Sequence, residues 1–253
     1  MNQDDITRPG RHLALYLTGE HDCSYLEDTR ARTLFVDPNA RIDTATYQLL
    51  IDLGFRRSGS HIYRPACRGC TRCVPVRIPV ADFLPNRSQR RNWQRNAPRI
   101  TLRERPASFE PAHYALYRDY LLRRHGDGPM ADDASEESYR RFLVDPWGGP
   151  CLFIEFWLDE ERLLGVAVTD RLEQGLSAVY TFYDPALAVL GPGTFAILAQ
   201  IELARRLGLP YLYLGYWVEG CEKMTYKARF RPLEAWDGRA WRQLARGAVL
   251  RQP

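Results

Sequence analysis

Lysine is almost missing from this chain. Of 35 basic residues only Lys223 and Lys227 are lysines, and they stand four apart. Lysine and arginine are not interchangeable, so two lysines kept on one short stretch mark it for ammonium chemistry or geometry. Long apolar runs are missing too. The longest, 151–158 and 163–168, are strand-sized, well short of the ~20 residues of a membrane helix, and no membrane partner is expected. The opening MNQDDITRPG has two acids and no apolar segment, which argues against a secretory leader and for the cytosol. Acidic residues are scarce in one region: residues 56–105 carry 13 arginines against Asp82 and Glu104. That is a net of +11 in a chain of net +4, leaving −7 elsewhere. Such segregation points to one face meeting a polyanion. With 45% hydrophobic and 26% charged residues over 253 positions, the chain is a globular protein of one large or two small domains. Disorder, a membrane span and a disulfide scaffold are excluded.

Residues 11–80 read as a small α+β unit. Thr33–Val36 is a strand ended by Asp37-Pro38, and Thr44–Leu53 carries Tyr47, Leu50 and Ile51 at helical spacing before Gly54. Ser60–Arg64 and Val74–Val80 alternate as strands, with Pro75 and Pro79 predicting an edge position for the second. Helices are predicted over 86–98, capped by Asn86 or Ser88, over 110–125, and over 136–144 with Ser135 as cap, a Gly-rich loop at 126–135 lying between the last two. The C-terminal half changes rhythm. Three strands, 152–158, 163–169 and 176–182, precede a helix over 194–207 closed by Gly208, a strand over 211–216, and a helix over 222–230. The last strand is expected parallel to the third. This order fits an acetyltransferase-like domain with a mixed sheet, so the expected architecture is mixed α/β. It has an N-terminal cysteine-bearing domain over 1–105 and the transferase-like domain over 106–253.

Three constellations carry chemistry. Cys67-x2-Cys70-x2-Cys73 places three thiols on one turn-rich loop, and Cys23 is the nearest fourth. In a reducing compartment such a run holds zinc or an iron–sulfur cluster, or remains as reduced thiols. Arg87–Arg105 holds seven arginines with Asn92, Trp93 and Gln94 interleaved. Arg87, Arg91 and Arg95 share one helical face, which with Arg90, Arg99 and a base-stacking Trp93 forms a candidate phosphate-contacting surface. The third constellation is Tyr180–Pro185, Gly191-Pro-Gly193-Thr194, and Leu214 through Phe230. In an acetyltransferase-like sheet these pieces converge, and the glycine turn offers free N–H groups at a helix start.

Several stretches resemble the arginyl-tRNA–protein transferase family in its bacterial branch, the aspartate/glutamate leucyltransferases. They are Cys23–Leu26, Thr33–Pro38, Gly54–His61, the cysteine run into Val74–Ile78, Ser88–Arg91, Phe182–Pro185 and Tyr211–Pro232, in order over nearly the whole chain. The resemblance implies transfer of leucine from leucyl-tRNA to the N-terminal Asp or Glu of a protein, marking it for degradation. Members of this family transfer either arginine or leucine; leucine is taken here from the short bacterial-type length and the Cys67–Cys73 run, both features of the resemblance, with arginine as the alternative. The resemblance also implies a metal or cluster at Cys23, Cys67, Cys70 and Cys73, although the transfer chemistry needs no cofactor, and no DNA partner is implied.

On that reading the reaction is aminolysis of an ester. Gly193 and Thr194 N–H groups or Tyr183 would hold the oxyanion, and Asp184 or Glu222 would relay the amine proton. Phe182, Leu214 and Trp217 would line the leucyl pocket. Lys223, Lys227, Arg229 or Arg231 would meet the acceptor carboxylate beside Tyr226. Two rivals remain: an acyl-CoA N-acetyltransferase, whose pyrophosphate loop would need an N–H where Pro192 stands, and a non-catalytic metal-containing RNA-binding protein.

Overall fold

The computed structural model describes residues 13–124, 126 and 132–245. The opening MNQDDITRPG and residues 127–131 of the loop at 126–135 lie outside the described residues. Elements are numbered here in chain order.

The N-terminal unit is a four-stranded antiparallel sheet in the order β1 (Leu15–Leu17), β4 (Thr33–Val36), β6 (His61–Pro65) and β5 (Arg56–Ser58), with a β2–β3 hairpin (His21–Asp22, Arg30–Ala31) beside it. Helix α1 (Thr44–Asp52) starts at Asp43, whose carboxylate accepts the Thr46 N–H at 2.8 Å. The expected elements of this unit are present, with four further short strands, β1, β2, β3 and β5, that carry too few residues for a period to register.

The large sheet has eight strands in the order β14 (Trp241–Gln243), β13 (Glu234–Trp236), β7 (Cys73–Pro79), β12 (Tyr211–Val218), β11 (Gly175–Tyr183), β10 (Arg162–Arg171), β9 (Cys151–Leu158) and β8 (Ile100–Pro106). Only β11 and β12 pair in parallel, so the sheet is mixed as expected. Near-continuous apolar strands such as β10 arise because both faces are covered. On one face α5 (Pro192–Arg206) packs Phe195, Leu198 and Ile201 against Phe156, Ala167, Leu176, Leu212 and Leu214, with Trp93 of α2 (Arg87–Asn96) alongside. On the other, α3 (Pro111–Arg124) packs Tyr117 and Leu121 against Phe153, Val166, Val168 and Phe182. A short α4 (Glu136–Tyr139), capped by Ser135, runs into a π-helical turn over Arg140–Val144.

Three expectations change. Strand β7 lies inside the large sheet, not at an edge. Its ladder to β13 involves only Val76 and Arg77, between the two prolines, so neither proline is required to donate there. Strand β7 lies before residue 105 and β8 crosses it, so the division drawn there runs through one sheet. Finally, residues 222–230 form a 3₁₀ segment, Glu222–Arg229, rather than an α-helix. At three residues per turn, positions i and i+4 are a third of a turn apart. Lys223 is accordingly exposed while Lys227 is buried.

Candidate active site

Strands β11 and β12 pair only over Gly175–Ser177 and Tyr211–Tyr213, then separate. Beyond that point the facing edges of Ala178–Tyr183 and Leu214–Val218 have no ladder between them. Strand β12 also bulges: its register against β7 shifts between Tyr213 and Tyr216. Gly215, in the bulge, has φ of +68°, a conformation that favours glycine. A cavity of about 20 Å³ lies at the fork, lined in part by Arg56, Ser177, Val179, Gly215 and Tyr216, enough for one water molecule.

The β11 side of the opening is phenolic. Tyr183 lies 4.9 Å from the Tyr120 ring, and the first turn of α5 comes up to it: a Cβ on Gly193 would sit 3.7 Å from the Tyr183 ring. Burial, then the neighbouring Tyr183 hydroxyl, pushes the Tyr120 phenol up, and Tyr226 acts on it in the same direction. The β12 side is cationic. Lys227 is 3% exposed, and its Nζ donates to the Tyr216 carbonyl at 2.5 Å. Burial, and after it the Arg56 guanidinium, brings this ammonium down to about 7. The Tyr216 hydroxyl lies 2.9 Å from the Gly54 carbonyl and 3.2 Å from that of Tyr63, fastening the N-terminal unit against β12.

The expected residues divide. Tyr183 and Gly193 stand together at the opening. The Thr194 N–H does not join them, because it donates to the Gly191 carbonyl at 3.1 Å. Asp184 is committed elsewhere: one oxygen accepts the Ala186 N–H at 2.9 Å and the other pairs with Arg162, so it is not free to relay a proton. Glu222 is exposed, and Tyr226 is 41% exposed. The leucyl pocket expected from Phe182, Leu214 and Trp217 does not form. Phe182 belongs to the α3 face and Leu214 to the α5 face, where Trp217 also packs, so the sheet separates them. Lys227 holds the bulge and does not face solvent. Arg231 donates to the Ala228 and Leu244 carbonyls. Arg229 lines a separate groove with Arg90, Pro85 and Asn86.

Helix α2 keeps part of its expected face. Asn86 caps it reciprocally with Gln89. Arg87 and Arg91 are exposed on one side. Arg95 donates to the Val189 carbonyl at 3.0 Å and Arg90 to the Pro85 carbonyl at 2.7 Å. Asn92 and Asn96 both donate to the Leu190 carbonyl, clamping the turn that opens α5. Trp93 stacks on Phe195 at 5.2 Å and is not presented for base stacking. Arg99 pairs with Asp159, and Arg103 lies 4.5 Å over Trp157, so part of the +11 segment is framework.

The four cysteines share a neighbourhood. The Cys73 thiol is pushed up to about 12 by burial and then by Cys23, Cys67 and Cys70. The donor chemistry suits a soft metal. However, Cys67 Sγ is engaged with the Arg32 backbone, and among the described residues no three ligand-type side chains converge on one point. The cysteines as placed do not fit a metal.

Arg56 is the residue that sequence reasoning missed. Its guanidinium lies 6.0 Å over the Tyr216 ring and 3.3 Å from where a Gly215 Cβ would be. The Arg56-Arg57 doublet was the only available signal, because on β5, a strand too short to predict, neighbours face opposite ways.

Two family models match the chain. One, described as arginine-tRNA-protein transferase, N terminus, covers residues 21–91, and the other, arginine-tRNA-protein transferase, C terminus, covers residues 112–237. The aspartate/glutamate leucyltransferase of Chromohalobacter salexigens is 52% identical over 247 residues, 96% of this chain and 98% of that one. The protein of that name from Stenotrophomonas maltophilia K279a is 53% identical over 90% of this chain and 92% of its own. The one from Pseudomonas aeruginosa PAO1 is 50% identical over 90% and 96%.

Proposed function

The chain belongs to the arginine-tRNA–protein transferase family, and from that premise we propose that it moves leucine from leucyl-tRNA to the N-terminal Asp or Glu of an acceptor protein. The observation that carries this reading is the opened β11–β12 pair. Unladdered main-chain edges there lie between tyrosine hydroxyls on one side and Arg56 and Lys227 on the other. Such an opening can take the main chain of an acceptor N-terminus beside an aminoacyl ester.

The chemistry asks little of the protein as acid or base. An α-amine has an ordinary pKa of about 7.7–8.0, so a useful fraction, roughly a tenth to a sixth, is already nucleophilic at neutral pH. Its nitrogen attacks the ester carbonyl carbon, the bond to the tRNA ribose oxygen breaks, and that oxygen takes up the proton the amine loses. Holding the two reactants in contact accounts for several kcal/mol of the barrier. The Tyr183 hydroxyl and the first turn of α5 stand where they can donate to the developing oxyanion. The exposed Arg87 and Arg91 offer the tRNA backbone a landing strip. Free thiols at all six cysteines suit the cytosol, where charged tRNA is found.

Incubation with charged tRNA pools and an Asp-starting peptide, read by mass, tests the proposal. Addition of leucine supports it. Addition of arginine alone, or of nothing, overturns it.

A further inference from the structure

We propose that Arg56 reads the side-chain carboxylate of the acceptor residue and so sets the preference for Asp and Glu; this rests on the transfer reaction proposed above.

The contrast with its neighbour carries the argument. Arg57 points into the protein and forms a doubly hydrogen-bonded pair with Asp170. Arg56, facing the other way from the same strand, makes no ion pair and no side-chain hydrogen bond among the described residues. It is nevertheless half-buried. A guanidinium withdrawn from water is ordinarily paired, because desolvating an unpaired charge is costly. Unpaired beside the small cavity at the β11–β12 fork, it is poised for an anion brought by a ligand.

Among the described residues no carboxylate is hydrogen-bonded or ion-paired to Arg56. The groups that act on Arg56 are the phenols of Tyr63, Tyr25, Tyr216 and Tyr47, and burial keeps Tyr25, Tyr47 and Tyr216 protonated well past the ordinary tyrosine range. The other nearby charge is the Lys227 ammonium, a second cation. Each cation disfavours the other's charge, neither is paired with a carboxylate among the described residues, and an acidic side chain beside Arg56 would relieve it.

Shape agrees with charge. The absence of a side chain at Gly215 lets the guanidinium lie along the bulge, its Nη1, Cζ and Nε at 3.3, 3.6 and 3.7 Å from a virtual Cβ. The ring of Tyr216 lies beneath it. Held this way, the planar fork offers a bidentate contact that a carboxylate can accept and a carboxamide cannot match. The bulge also sits at the fork of β11 and β12, so an acceptor side chain bound here would leave its α-amine beside the opening.

The test compares peptides starting with Asp, Glu and Asn on the full-length protein charged with leucyl-tRNA. Arg56→Gln is expected to lower kcat/KM for Asp and Glu peptides by about 100-fold or more, to leave leucyl-tRNA affinity within about twofold, and to collapse the preference for Asp over Asn. Arg56→Lys keeps the charge and the stem but loses the fork. It is expected to lose about tenfold and to keep the Asp preference, and it serves if the Gln variant does not fold. Equal losses on Asp and Asn peptides, or no loss in either variant, would overturn the role of Arg56. Failure of the wild-type protein to transfer leucine would instead overturn the reaction it rests on.

Discussion

Arg57 and Asp170 are joined by hydrogen bonds of 2.5 and 2.6 Å, with their side chains 1% and 0% exposed. The pair links β5 of the N-terminal unit to β10 of the large sheet. It ties β5 to the large sheet, and so fixes where Arg56 lies against Gly215 and Tyr216.

Breaking this pair should therefore be costly. Arg57→Met leaves Asp170 buried without its partner and is expected to lower stability by about 3–5 kcal/mol. Replacing both, as in Arg57→Met with Asp170→Leu, should cost less than the single change. Urea unfolding of the two variants measures the difference, and a double variant weaker than the single one would contradict it.

Lys227 makes stability depend on pH. Its folded-state value of about 7 lies below the ordinary ~10.4 of an unfolded lysine. Between those values the unfolded chain keeps a proton that the folded chain has released, so stability rises with pH. Wild-type protein should gain stability relative to Lys227→Met as pH goes from 7 to 9. Denaturation curves at three pH values in that window are sufficient, and parallel trends in the two proteins would count against it.

Gly215→Ala probes the bulge. An alanine at φ +68° costs roughly 1–2 kcal/mol, and its Cβ would push on Arg56 at 3.3 Å. We expect a modest fall in the melting temperature together with a disproportionate rise in KM for Asp-starting peptides. A loss of stability with unchanged kinetics would separate the glycine from the site.

On α2 the informative pair is Arg87 and Arg91, because Arg95 is already bonded to the Val189 carbonyl. Each lost phosphate contact flattens the salt dependence of binding by roughly 0.7–0.9 in slope. Arg87→Ala with Arg91→Ala should flatten it by roughly 1.5, whereas Arg99→Ala, which removes a partner of Asp159, should leave the slope alone. Filter binding of leucyl-tRNA across a salt series distinguishes them.

How far each feature was legible depends on the range of the interaction behind it. The helices α1, α2, α3 and α5 and the strands β9 to β12 declare themselves through period, caps and terminating glycines, which act within a few residues of chain. Asn86 with Gln89 and Asp43 with Thr46 are of this kind. The position of β7 was not legible: Pro75 and Pro79 read as edge residues, and only the placing of the β13 ladder between them makes an interior position tolerable. The leucyl pocket failed because which face a strand residue joins depends on its bulges and partners, which put Phe182 and Leu214 on opposite sides.

The two lysines that first drew attention show the same division. Their scarcity and spacing are facts of the chain, and they drew attention to the segment that follows β12. Whether they act together depended on the helix type, and a 3₁₀ turn exposed one and buried the other. Arg56 had no local mark beyond standing beside another arginine. Its unpaired charge exists only because β5 is laid against the β12 bulge by contacts from Asp170 and Tyr216, more than 100 residues away. Local patterns settle which segments become helix or strand, because those interactions close within a few residues. The site waits on long-range packing, because no single segment contains the partners that define it.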